Sequence, residues 1–214
     1  MIRVTKAEQA PDDLEKKGYK SDGVYKQLLF DQNDKCYICE RILTTDYEEE
    51  HLHSQNNYPS SEEEWDNLFI ACGYCNKKKS NRFDDILNPS KNNIEDIIRQ
   101  TFVPDKKSFE FECTGDSCSN EVQSTISLLN LVFNGRSLGM RKLREERFYK
   151  YFIEKYNFFC EAIDCYLSGK KDEYRQIIED SLNIKSEFLG FKYAIIKENA
   201  VLYKDFGHLI VWNK

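Results

Sequence analysis

No stretch of the chain approaches the roughly 18 consecutive apolar residues that a bilayer-spanning helix needs, and the opening MIRVTKAEQAPDDLEKK lacks the apolar segment of a secretory signal. A cytoplasmic location without a membrane association is the expectation. An excess of basic residues is also missing: 31 Lys and Arg stand against 37 Asp and Glu, a formal charge of -6. A protein coated by nucleic acid needs a basic face, so any basic site here must be local. No internal repeat is visible, and the acidic runs are too short to be disordered tails.

What is present is enough apolar material for a packed protein, 40% hydrophobic and 14% aromatic over 214 residues. Composition changes at Asn88-Pro89, which divides the chain into 1–88 and 89–214. The first region holds two of the three histidines and most of the polar turn clusters; the second is dominated by helical periodicity. In the first, Val24, Leu28 and Leu29 suit a helix over Asp22–Gln32, and Arg41–Thr45 with Glu49–His53 suit a hairpin. Residues 52–66 read as irregular loop, followed by a helix from Cys75 or Asn76.

In the second region, Ile94, Ile97, Ile98 and Phe102 mark a helix, and Ser108–Cys113 alternates as a strand does. The strongest period runs through Leu143, Phe148, Phe152, Tyr156, Phe159, Ile163 and Tyr166 until Gly169 stops it, predicting one long amphipathic helix. Core packing is the favoured use of that face. Ala194–Trp212 suits a helix followed by a closing strand or an apolar tail.

Eight cysteines invite a disulfide reading, but two CxxC pairs and the absent signal favour reduced thiols and metal ligation. Cys36, Cys39, Cys72 and Cys75 offer two tight knuckles whose four thiolates match tetrahedral zinc. A redox CxxC belongs at a helix start within a thioredoxin-like pattern, which is absent. Cys113, Cys118, Cys160 and Cys165 have no ligand pattern around them and are taken as structural.

The insert between the knuckles carries the chemistry. Glu50-His51-Leu52-His53 is followed by Trp65-Asp66-Asn67-Leu68, and the second knuckle runs into Asn76-Lys77-Lys78-Lys79-Ser80-Asn81-Arg82. Phosphodiester hydrolysis requires a base to deprotonate water and a divalent cation held by hard oxygens. His51 is the candidate base, because a neutral imidazole titrates near the working pH. Glu50 and Asn76 are the candidate oxygen ligands for magnesium or manganese. His53 stays open between metal ligand, substrate contact and plain surface. Lys77, Lys78, Lys79 and Arg82 are candidate phosphate contacts, against the alternative of a solvated helix face.

The order His51, Asn67, Asn76 resembles the HNH nuclease motif. That resemblance implies an α+β fold, mostly helical, with a zinc-supported ββα-metal finger and a helical C-terminal region. It also gives Asn67 a structural part, its amide bridging backbone groups of the loop. The wider phrase resembles the retron-associated and Septu-type HNH nucleases, the PtuB family: Tyr58-Pro59, Ala71-Cys72-Gly73-Tyr74-Cys75-Asn76, Lys79-Ser80-Asn81-Arg82-Phe83, Ile86-Leu87-Asn88-Pro89 and Ser127-Leu128-Leu129-Asn130-Leu131. It covers residues 1 to 150 or so and implies an antiphage endonuclease, with a PtuA-like ATPase as partner, in some systems with a reverse transcriptase and its noncoding product. Ser54 departs from the proline usual after the catalytic histidine. DNA is the favoured substrate and RNA such as tRNA the rival; the alternative function is a non-catalytic zinc-ribbon adaptor binding nucleic acid or protein.

Overall fold

The computed structural model describes residues 1–135 and 141–210 and shows an α+β, mostly helical chain with two small sheets. Two helices open it, α1 (Asp12–Lys17) and α2 (Asp22–Asp31). The second follows the predicted spacing, with Val24 and Leu28 buried and Asp22 in the first turn, where the helix dipole favours an acid. α2 delivers the chain to Cys36, and an isolated bridge between Lys35 and Ile42 closes the first knuckle.

The strand β1 (Glu48–His51) does not pair with Arg41–Thr45. Its antiparallel partner is β2 (Leu68–Ala71), with Glu50 opposite Phe69 and His51 opposite Leu68. All four residues of β2 are buried, so both faces are apolar and the alternation that betrays a half-buried strand is missing. The intervening residues 52–66 form the expected loop, tightened by a 3-10 turn at Pro59–Ser61, and a second one follows at Trp65–Asn67. The helix α3 (Gly73–Lys79) follows β2 after a single residue and begins two positions before Cys75.

Past residue 88, the expected helix through Phe102 is one turn, α4 (Ile94–Ile97), running into the strand β3 (Ile98–Val103). Ile98, Gln100 and Phe102 are buried in alternation, and β3 pairs with β4 (Ser108–Cys113), the strand predicted from sequence. Apolar residues at 94, 97, 98 and 102 satisfy a helical period equally well; the strand prevails because β4 supplies a partner edge and Thr101 and Val103 are β-branched.

Among the described residues five further helices follow. They are α5 (Asn120–Asn134), capped by the Ser119 hydroxyl, α6 (Leu143–Leu167), α7 (Lys171–Leu182), α8 (Leu189–Glu198) and α9 (Ala200–Phe206). α6 is the long helix the periodicity predicts, its Phe148, Phe152, Phe159, Ile163 and Tyr166 buried, although Leu143 at its first turn is exposed. Ala194–Ile210 holds helix and a 3-10 turn rather than a strand, and Val211 and Trp212 lie outside the described residues.

One apolar cluster runs from Met1 through the four CxxC cysteines to Phe152 and Phe191, crossing residue 88. Phe152 sits edge-on to Phe109, Phe188 and Phe191, which locks α6 to the β3–β4 hairpin and α8. The later part of α6 makes a second cluster with α7, α8 and α9. Cys113 and Cys118 are joined by a disulfide, which corrects the reading of every thiol as reduced; their Cα atoms, 6.2 Å apart, lie within bridging range. Among the described residues no helix is long and apolar enough to cross a membrane.

Candidate functional site

The turn after α2 supplies Cys36 and Cys39; the start of α3 supplies Cys72 and Cys75. All four are buried, and their Sγ atoms lie within 4.8 Å of one another, Cys39 and Cys72 at 4.0 Å. A tetrahedral zinc with sulfurs at about 2.3 Å holds those sulfurs about 3.8 Å apart, so the donor set fits a structural ion such as zinc. Burial pushes the Cys39 and Cys75 thiols up, while S–H donors from its three neighbours pull Cys72 down. Four thiolates in this dry pocket need a cation to offset their charge.

Each knuckle is held by backbone bonds, Glu40 N to Cys36 O at 2.8 Å and Asn76 N to Cys72 O at 3.0 Å. Glu40 adopts φ 63°, a conformation that favours glycine. It is fixed there by its own carboxylate, which is buried and accepts from Leu189 N at the start of α8 and from the amino group of Met1, at 2.6 and 2.8 Å. Burial pushes the Glu40 carboxyl up, but the charges of the Met1 amino group and Lys35, with the bonds from Met1 and Leu189 N, hold it below its ordinary range. The first knuckle is thereby tied to a helix 150 residues downstream.

β1 presents two faces. Glu49 and His51 turn toward α1 and α2: Tyr25 donates its hydroxyl to Glu49, and the Tyr19 ring stands edge-on to the His51 imidazole at 4.9 Å. His51 Nε2 lies 3.0 Å from the Glu62 carbonyl oxygen. A carbonyl only accepts, so Nε2 carries the proton and Nδ1 the lone pair of the neutral ring. Burial lowers the His51 pKa below 6.5, with the Glu62 carbonyl opposing.

Glu48 and Glu50 turn toward α3. The Glu50 carboxylate is buried; Lys79 Nζ stands 2.8 Å from its Oε1, and the Tyr37 hydroxyl donates to its Oε2. Burial raises the Glu50 pKa, opposed by Lys79 and Tyr37. Lys79 also donates to the His51 carbonyl at 2.8 Å and lies 3.9 Å from Asp84. Asp84 in turn accepts from Ser54 N and Ser54 Oγ, both at 2.8 Å, and from Asn57 Nδ2 at 2.6 Å. Those donors hold its carboxyl below the ordinary range although burial opposes them. Ser54 anchors the loop to Asp84 through its hydroxyl.

Asn67 is buried beneath the same loop. Its Oδ1 accepts from His53 N at 2.7 Å, and its Nδ2 donates to His53 O and Ser61 O at 3.1 and 2.9 Å. Asn67→Ala leaves these backbone groups unpaired and is expected to destabilise the fold by about 2 kcal/mol, read from the urea midpoint at constant m. Among the described residues the buried His53 Nδ1 has no partner, and its ring packs 5.0 Å from Tyr58.

Asn76 and Glu50 do not share a site. Asn76 Nδ2 donates to Glu48 Oε2 at 2.7 Å, while Glu50 is engaged by Lys79 and Tyr37. A cation held jointly by Glu50 and Asn76 does not fit this arrangement. The lysine run is also divided: Lys79 is fully buried, and Lys78 donates to Leu131 O and Glu145, leaving Lys77 and Arg82 exposed. Three consecutive helical residues fan over about 200°, and α3 is packed against β1 on one side and α5 on another, so the run cannot face solvent together.

Sequence reasoning missed Tyr37 and Asp84 as partners of this cluster, since neither lies in a recognisable spacing. It also gave no role to Arg144 and Arg147 at the start of α6. Their i, i+3 spacing on a helix was the available signal. Compared with protein-family models and with curated proteins, the chain matches none.

Proposed function

We propose that the chain is a metal-dependent endonuclease of the HNH type, hydrolysing nucleic-acid phosphodiesters with His51 as general base and DNA as the favoured substrate. The observation that carries this reading is the placement of Glu50-His51 at the end of a strand whose partner strand leads into the helix of a four-cysteine centre. His51 is suited to the role: with Nε2–H committed to the Glu62 carbonyl, Nδ1 takes the proton from an attacking water. Asn67 and Asp84 support it indirectly, by fixing the loop that carries Glu62.

A divalent cation would supply charge neutralisation at the phosphate. Glu50 can contribute an oxygen only after Lys79 lets it go, which is the arrangement of a nuclease held off until something binds. The PtuB resemblance supplies a matching context, an antiphage effector in the bacterial cytoplasm restrained or licensed by a PtuA-like ATPase, in some systems with a reverse transcriptase and its noncoding product. The same sequestered Glu50 favours a second reading, a non-catalytic zinc module that binds nucleic acid or protein.

Two outcomes test the proposal. Zinc-loaded protein, alone and with the ATPase, is incubated with plasmid DNA and total RNA in magnesium or manganese; His51→Ala is expected to lose at least about a hundredfold in rate. Cleavage indifferent to that change sinks the mechanism. The acid limb of kcat/KM against pH is expected to have its midpoint below 6.5, because burial depresses the His51 pKa and the neutral ring is the active form. Stability follows the same sign: the buried neutral ring contributes fully above 6.5 and loses that contribution as pH falls through the lower folded value. An acid limb centred above 6.5 contradicts the assignment.

A further inference from the structure

We infer that the groove between α3 and the first turns of α6 is a binding site for a nucleic-acid backbone, with Arg144 and Arg147 as its principal phosphate contacts; this rests on the nuclease reading above. The groove has a volume of about 1010 Å³ and takes one wall from Asn76 and Lys77 and the other from Arg144, Arg147 and Tyr151. Its lining carries four cations, Arg41, Lys77, Arg144 and Arg147, against the two carboxylates of Asp46 and Glu48. The lining is therefore positive by two charges in a chain whose formal charge is -6.

These charges are not equally committed. Arg41 pairs with Asp46 at 3.0 Å, and Glu48 accepts the Asn76 amide. Among the described residues Arg144 and Arg147 make no salt bridge, and both are exposed. Separated by three positions, they project from the same side of α6. Unpaired guanidinium groups along one wall of a groove present planar forks that match phosphate oxygens two at a time.

Size and lining narrow the ligand class. The volume lies at the upper limit of small-molecule pockets and the site is open to solvent, which suits an extended polyanion. The aromatic residues of the lining are fixed in place. Tyr74 lies flat on Phe148 with ring centres 5.2 Å apart and donates its hydroxyl to Val132 O, while the Tyr151 hydroxyl is held by Glu187. Unpaired guanidinium forks one helical turn apart beside these fixed side chains suit the regularly spaced phosphates of a nucleic-acid backbone better than the carboxylates of an acidic peptide. Glu48 and Asn76 line the groove from the α3-facing side of β1, the side opposite the one on which His51 meets Tyr19.

The test measures binding without turnover. Full-length zinc-loaded protein carrying His51→Ala is titrated against a short fluorescein-labelled DNA duplex, with no magnesium or manganese, and anisotropy is read across a salt series. Adding Arg144→Gln and Arg147→Gln is expected to weaken binding at least about tenfold and to reduce the slope of log K against log salt by about 2. The control pair Lys106→Ala and Lys204→Ala removes equal charge away from the groove and is expected to change affinity less than about twofold.

Equal effects from the two pairs overturn the assignment, as does a parent protein that shows no saturable binding. A polyglutamate peptide that competes as well as unlabelled duplex overturns it in favour of an acidic protein partner. Cleavage is assayed separately with the His51 protein. Groove-dependent binding without His51-dependent cleavage keeps this inference and removes the nuclease; His51-dependent cleavage with binding indifferent to Arg144 and Arg147 does the reverse.

Discussion

Zinc removal is expected to unfold residues 36 to 79 outright, whether by chelation or by Cys72→Ser. The elements around the metal are too small to persist without it. β1 and β2 form a two-stranded sheet of four residues each, and α3 has seven residues. An isolated two-stranded hairpin is marginal in water, and a free helix shorter than about 12 residues is too. Their stability comes from the surrounding core, and the four cysteines are part of that core, each fully buried.

Structural zinc contributes apparent binding free energies of about 10 to 16 kcal/mol in finger peptides. That exceeds the net stability of an ordinary domain, about 5 to 15 kcal/mol. Metal analysis should therefore find one zinc per chain, and its loss should remove the main cooperative melting transition. Helical circular dichroism is expected to fall only in part, because α7, α8 and α9 share a separate apolar cluster with the later part of α6. Protein that binds no zinc, or melts unchanged without it, would refute the four-cysteine centre.

The sequence made this centre legible because ligand spacing is local: each CxxC needs only its own knuckle. The long helix was legible for the same reason, its aromatic residues recurring at one period over many turns. Pairing was not. β2 is apolar on both faces, so no alternation announced it, and Ile94–Phe102 fits helix and strand until the β4 edge decides. Within the site, residue types were readable and their engagement was not. Nothing in Lys77-Lys78-Lys79 tells which lysine turns inward; the packing of α3 between β1 and α5 does. The same burial that selects Lys79 also withdraws Glu50 from solvent.

Lys79→Met is the substitution that separates the two readings of the site. Lys79 is fully buried and Glu50 nearly so, hence removing the ammonium strands a carboxylate with only the Tyr37 hydroxyl as donor. Breaking a buried pair from one side costs about 3 to 5 kcal/mol. Protonation relieves part of that cost. Burial already raises the Glu50 pKa, and without Lys79 it rises further. A carboxyl with a raised folded pKa binds its proton more tightly in the native state, so its stability is greatest below the unfolded value and falls as pH climbs. The deficit of Lys79→Met against the parent is therefore expected to shrink at acid pH and to be full at neutral pH. Adding Glu50→Gln removes the stranded charge and is expected to restore much of the loss, a non-additivity that a double-mutant cycle reads directly. Manganese then divides the readings. In a nuclease, the freed Glu50 gains a cation in place of Lys79, and manganese raises the Tm of Lys79→Met but not of the double variant. In a zinc adaptor, Glu50 and Lys79 are a structural pair only, and manganese leaves both unchanged.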